Sequence, residues 1–293
     1  FAPKVRRNLQ GEEIEKMIID THTHLFDTTR PEGVPWPPPD DEFLYRRTMP
    51  DDYRAVAEPV GTTGTIVVEA SSWVEDNQWI LDMAENDPML IGLVGHLEPP
   101  SEAFENDLNR FAAHPLFYGI RLGTVDRNDR QCLAACEQLM ALDLELDLLV
   151  GPELLEEVAW IAGQFPALRI VLNHLVQVPI NGQAPDALWL KGIKAAAANE
   201  LVFCKVSGLV ELTGEKPPPE SVDYYRPVLD ALWHAFGRER LVYGSNWPVS
   251  ARYADYASVQ NLAEAYFEPM GKEIYENVMW KNSQKAYDWK ERD

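Results

Sequence analysis

Positive charge is scarce in this chain: 26 Lys and Arg stand against 47 Asp and Glu in 293 residues, a formal charge of −21 at pH 7. So acidic a surface repels phosphate and excludes nucleic acid and anionic membranes as partners. An anionic substrate would need a local cluster of Arg or Lys. Long apolar runs are missing too, and none approaches the roughly 18–20 residues a membrane span requires. Cysteine is rare, with three residues and no Cys-x-x-Cys. Cys132 and Cys136 lie one turn apart in a helical segment and are expected to pack there as reduced thiols. A reducing compartment, the cytoplasm, is the default. The chain starts at Phe1 rather than Met, however, which leaves a removed export signal open. Histidine is also sparse, with six residues.

Two of those six stand one residue apart in Ile-Ile-Asp-Thr-His-Thr-His-Leu-Phe-Asp, residues 18–27. On a strand, residues i and i+2 share a face, so Asp20, His22 and His24 are expected side by side. Taken alone, such a pair is most simply two hydrogen-bonded imidazoles at a strand end. The rest of the chain decides whether they have partners.

What the chain does have is 46% hydrophobic residues, enough for a large core. Short Val-, Ile- and Leu-rich runs recur at 17–21, 65–70, 90–97, 118–122, 144–150, 169–174, 201–206 and 240–244. Several are continuously apolar, as strands buried on both faces of a parallel sheet are. Between them, 75–86, 102–114, 130–142, 152–165, 187–199 and 222–236 carry helical periodicity. The alternation predicts an α/β protein, a single (β/α)8 barrel over residues 17–293, preceded by an arm at 1–16 with no strand or core pattern. Three proline-rich connections, 30–41, 179–188 and 214–221, each follow a strand. They belong on the C-terminal face, where such barrels hold their sites, as a stiff rim.

Polar groups mark nearly every strand end. Asp20, His22 and His24 stand at the first, Glu69 at the second, His96 and Glu98 at the third, and Arg121 at the fourth. His174 follows at the sixth, Lys205 and Ser207 at the seventh, and Ser245 and Asn246 at the eighth. Four of six histidines thus converge on one rim, which a random scatter would not favour.

At IDTHTHLFD, VVEAS, YGIRLG, VLNHL, KVSGL and YGSNWPVS the chain resembles the amidohydrolase superfamily, from residue 17 to about 289. Within it the segments are similar to the lactonase branch, which includes 2-pyrone-4,6-dicarboxylate lactonases and sugar lactonases. The resemblance implies a hydrolase that opens a small lactone by attack of water. It matches His22 and His24 to the strand-1 pair, His174 to the strand-6 histidine, and Asn246 to a strand-8 aspartate that usually serves as general base. An amide cannot take that proton near neutral pH.

Lactone hydrolysis needs a polarised carbonyl, a delivered water and a protonated leaving alkoxide. His22, His24 and His174 could hold one divalent ion, zinc or similar, as Lewis acid, or donate hydrogen bonds directly to the oxyanion. Arg121 stands where a bridging lysine would be, which argues against a binuclear centre. Glu69 or Glu98 could replace the missing base. His96 is either a base or a partner of Glu69. Arg121 and Lys205 would bind substrate, or pair with Glu69 or Asp20; His96, Trp247 and Trp36 would line the pocket. His114 and His234 read as structural. The candidate catalytic set is therefore His22, His24, His174, Asn246 and Glu69. The rivals are a metal-dependent decarboxylase or hydratase of the same superfamily, and a non-catalytic barrel that binds a sugar acid or lactone. A small-molecule substrate is expected, and a homo-oligomer is compatible with the sequence.

Overall fold

The computed structural model describes residues 17–99 and 103–291, together with the backbone of Val5–Arg7 and Glu13–Glu15. Eight parallel strands run in chain order around the molecule: β1 Ile19–Thr23, β2 Gly64–Val68, β3 Leu90–Gly95, β4 Phe117–Leu122, β5 Glu145–Leu148, β6 Ile170–Leu172, β7 Val202–Val206 and β8 Leu241–Tyr243. Each pairs with the next. The seam between β8 and β1 is closed just past the strand ends. There Asn246 N–H donates to the His22 carbonyl and His24 N–H to that of Trp247, both at 2.9 Å.

Helices α1 Pro50–Ala57, α2 Glu75–Asn86, α3 Phe104–Ala112, α4 Arg130–Ala141, α5 Leu155–Gln164, α6 Ala187–Ala196, α7 Val222–Phe236 and α8 Tyr256–Phe267 follow the strands in turn. The architecture is a (β/α)8 barrel. No helix among the described residues is long and apolar enough to cross a membrane. The continuously apolar strands are explained by their two buried faces. Ile66, Val68, Val94, Val171, Phe203 and Val242 fill the inside, while Val67, Leu93, Leu146, Ile170 and Cys204 pack outward against the helices. The chain returns through α9 Lys272–Glu276 and α10 Asn282–Tyr287, and Tyr287 and Trp289 pack on Ile19 and Ile91 near the strand starts. Cys132 and Cys136 are buried and free on α4, as expected.

Two expectations need correction. In the arm, Val5–Arg7 and Glu13–Glu15 pair as antiparallel strands that its composition does not announce; the rest of residues 1–16 lies outside the described residues. The strand at 169–174 is shorter than its apolar run, because the chain leaves the ladder after Leu172. His174, Leu175, Val176 and Gln177 all take left-handed backbone, with φ of 47°, 54°, 54° and 50°. That conformation costs L-residues roughly 1–2 kcal/mol each, and such strain collects where a side chain must be aimed.

Candidate active site

β1 does not keep strict alternation. Its register with β2 shifts between Asp20 and Thr23, and a bulge of this kind re-aims side chains. Asp20 consequently turns toward the helices rather than standing beside the histidines. It accepts from the hydroxyls of Tyr53 and Tyr256, both at 3.0 Å, from Ser245 N–H at 2.8 Å and from His22 N–H at 3.1 Å. Burial raises its pKa against these four donors. Its role is to clasp α1, α8, β1 and β8 together.

His22 and His24 face the barrel mouth. The His22 ring centroid lies 4.9 Å from that of His24 and 4.3 Å from that of His174. Each of the three rings is held from behind through Nδ1: His22 by Lys205 Nζ at 3.2 Å, His24 by the Val68 carbonyl at 3.0 Å, and His174 by Ser207 Oγ at 2.9 Å. The partners assign two of the tautomers. A carbonyl only accepts, so His24 carries its proton on Nδ1. An ammonium only donates, so His22 accepts at Nδ1 and carries its proton on Nε2. That Nε2 is buried and has no partner among the described residues. All three rings are neutral. Burial pulls them down first, aided by the positive charge of Lys205 at His22 and of Arg121 at His24 and His174, and His24 falls to about 3.

Lys205 was a candidate for binding substrate. Instead it is wholly buried and salt-bridged to Asp147 at 2.6 Å, so it reaches the mouth only through His22. Burial pulls the amine below its ordinary value while Asp147 opposes; direct contact with a carboxylate keeps it an ammonium. Tyr287 donates to the other Asp147 oxygen at 3.1 Å. Neighbouring Glu145 is pushed far up by burial and by Asp147, which leaves it protonated.

Arg121 pairs with Glu69, its Nε donating to Oε1 at 2.8 Å and its Nη2 to the Glu69 carbonyl at 2.9 Å. Nη2 also lies 2.7 Å from Oε1. Glu69 is thus committed to a guanidinium, which removes it from the place of a free base. Arg121 Nη1 has no hydrogen-bond partner among the described residues. His96 does not touch Glu69; its Nε2 lies 3.8 Å from Glu98 at the rim, and neither residue belongs to the cluster. Trp36, from the first proline-rich loop, stacks edge-on against His24 at 5.7 Å and Phe26 at 5.4 Å. With Glu69, Ala70 and Ser71 it lines a small, shallow pocket next to the first proline-rich loop. Trp247 is buried against Tyr53 at 5.4 Å, a support for the mouth more than a lining. His114 lies 3.1 Å from Glu85, away from the site.

Asn246 adopts left-handed backbone, φ 59°, which asparagine tolerates better than most residues. Its side chain reaches a carboxylate that no strand end carries: Nδ2 donates to Glu211 Oε1 at 2.7 Å. The same amide lies against His24. Glu211 sits in the turn after β7. The turn is partly open, but the carboxyl group is enclosed, with Oε2 buried and unpartnered. Burial pushes its pKa up to about 7, against the Asn246 hydrogen bond. A signal existed in Gly-Leu-Val-Glu-Leu-Thr-Gly, residues 208–214, where one carboxylate interrupts an apolar run.

As arranged, these donors do not fit a divalent ion. The β8 residue is a neutral amide, and His22 carries a proton rather than a lone pair at its unpartnered Nε2. Among the described residues no group of three or more His, Cys, Asp or Glu side chains is disposed to hold a metal.

Comparison with known proteins agrees with this barrel. An L-fucono-1,5-lactonase of Burkholderia ambifaria is 32% identical over 250 residues, covering 82% of this chain and 84% of that protein. One of Burkholderia multivorans is 25% identical over 275 residues, covering 89% and 92%. Among solved structures, a B. multivorans amidohydrolase with bound zinc superposes with a TM-score of 0.83 at 22% identity, covering 94% of this chain and all of that one. A probable 2-pyrone-4,6-dicarboxylic acid hydrolase of Acinetobacter baumannii gives 0.73 at 17% identity, covering 93% and 99%. A family profile described as Amidohydrolase matches residues 19–289, and the chain belongs to that family.

Proposed function

We propose that this protein is a hydrolase that opens a small lactone, a sugar lactone or a related cyclic ester, by attack of water. The observation that carries the reading is the His22 imidazole. It is neutral, buried and fixed by Lys205, with an unpartnered Nε2–H beside the rings of His24 and His174. A preorganised donor in a dry site is what a carbonyl oxygen needs as it becomes an oxyanion. The electrons of the C=O move onto that oxygen as water attacks; collapse then breaks the ring C–O bond, and the alkoxide takes up a proton. Arg121, with Nη1 free, holds a ring hydroxyl or a substrate carboxylate beside His24 and His174, whose protonation it already opposes. The lactonase activity named for the Burkholderia relatives supports this substrate class.

A divalent ion on His22, His24 and His174 would require the His22 proton to leave and a neutral amide to serve where the family has a carboxylate, so no step is assigned to it. The same amide weakens the decarboxylase and hydratase readings. Proton release measured across a library of aldonolactones tests the proposal. Ring opening of some aldonolactones, with no turnover of phosphotriesters or dipeptides, is expected. Peptidase activity without lactonase activity would sink it, and tight lactone binding without turnover would point to a binding barrel.

A further inference from the structure

The strand-8 position that would activate water holds an amide, yet the mouth is not without a carboxylate. The chain leaves β7 through Ser207, which holds His174, and Gly208, which passes so close to His174 that an added Cβ would lie 3.0 Å from the His174 Cβ. Gly208 has φ +69°, and this left-handed step folds the chain across the imidazole. Leu212 N–H then returns to the Gly208 carbonyl at 3.0 Å, and Leu212 in turn accepts from Ile180 N–H at 2.9 Å. The turn is thereby tied to the segment after His174, and it delivers Glu211 to Asn246. Asn246 is itself bonded through its backbone to His22 and lies beside His24.

One Glu211 oxygen is occupied by Asn246 and the other has no partner, although it is shielded from solvent. A buried, unsatisfied carboxylate oxygen is costly, and the mouth offers one molecule small enough to satisfy it: the water that must attack. Resting on the lactonase reading, we propose that Glu211 is the general base of this enzyme, with Asn246 as the residue that positions it. Its free oxygen takes one proton from water as the water oxygen bonds to the lactone carbon and the carbonyl electrons pass to the oxyanion at His22. The protonated Glu211 then returns that proton to the alkoxide released when the ring C–O bond breaks. The hydroxy acid loses its carboxyl proton to solvent, and atoms and charge balance.

The groups around Glu211 suit this task. Burial raises its pKa and Asn246 lowers it; Tyr225, from α7, is pushed up first by burial, then by Tyr224, Glu215 and Glu211. His24 lies beyond Asn246 and is neutral. The carboxyl group should therefore titrate close to neutrality, where a general base works best.

The experiment compares the parent, Glu211→Gln and Glu211→Asp on whichever aldonolactone the parent opens, with kcat and KM measured from pH 5 to 9. For Glu211→Gln, kcat should fall about 10²–10⁴-fold, the usual contribution of a positioned base, with KM little changed. The acidic limb of the parent profile, with its midpoint near 7, should vanish in that variant. Glu211→Asp should keep the limb at reduced kcat, which a purely structural role would not produce. If Glu211→Gln fails to fold, the aspartate variant alone decides: a lost or unmoved rate with no acidic limb overturns the proposal. A glutamine variant as fast as the parent, or one that retains the limb, overturns the base but leaves the lactonase reading intact. A parent that opens no lactone overturns both.

Discussion

Asn246 Nδ2 lies 2.7 Å from Glu211 Oε1, so the strand-8 residue, which the resemblance matches to the family's aspartate, is bonded to a carboxylate from the loop of the preceding strand. On the proposal above, the base stands in the turn after β7 and the strand-8 amide presents it. This swap makes Asn246→Asp informative. Two carboxyl groups at hydrogen-bond distance cannot both ionise, so one proton is shared and one pKa rises. We expect the acidic limb of kcat to move up by about one to two pH units, with slower turnover at pH 7. Faster turnover at pH 7 would show that water was waiting for a strand-8 carboxylate. Glu69→Gln should act differently: it frees Arg121 from its partner and should alter KM more than kcat.

The barrel was legible because its strands are buried on both faces and its helices are amphipathic, so period and length alone separate them. The histidine cluster was legible from its strand-end positions. Two features were not. The bulge in β1 turns Asp20 away from His22, and no residue in Ile-Asp-Thr-His-Thr announces it; the register against β2 decides it. Glu211 is invisible to strand periodicity because its position depends on a left-handed glycine and a turn. Lys205 is ambiguous in the sequence because its partner, Asp147, lies on β5, where it neutralises the charge inside the barrel.

Lys205→Met tests whether the ammonium behind His22 sets its tautomer. Removing one member of a buried pair leaves Asp147 uncompensated and should cost about 3–5 kcal/mol, read as a lower midpoint in urea. With nothing donating to Nδ1, His22 is free to turn a lone pair toward the substrate, so kcat should fall more than KM rises. A Lys205→Met, Asp147→Leu double variant removes the stranded carboxylate and should recover stability. If it also recovers kcat, His22 does not depend on Lys205 for its proton.

Gly208→Ala probes the turn that brings Glu211 and His174 together. A methyl group there meets the His174 Cβ at 3.0 Å and its Cγ and Nδ1 at 3.2 Å, on a backbone with φ +69°. The left-handed step alone costs roughly 1–2 kcal/mol for a residue with Cβ. The neighbour that must give way is the imidazole on Ser207. We expect a lower melting temperature together with a loss of kcat larger than that from a surface Gly→Ala change. Unchanged kinetics would mean that His174 can shift without consequence.

The neutral histidines predict the acid limit of the fold. His24 carries a pKa of about 3 when folded, because burial and Arg121 oppose its charge, against about 6.5 for an exposed imidazole. A folded value below the unfolded one means that the unfolded chain binds the proton first. The stability contributed by the neutral ring is therefore fully present above about pH 6.5 and is lost progressively as pH falls toward 3. Each pH unit within that window should cost about 1.4 kcal/mol for this one group, with His22 and His174 adding in the same direction. His24→Gln cannot take up this proton, and its amide can still donate to the Val68 carbonyl. Urea midpoints for parent and variant at pH 6.5, 5.5 and 4.5 should show the parent losing stability faster by about that amount per unit. Parallel losses would mean that His24 is already protonated in the fold, and the mouth would then hold a cation where the hydrolytic reading requires a neutral ring.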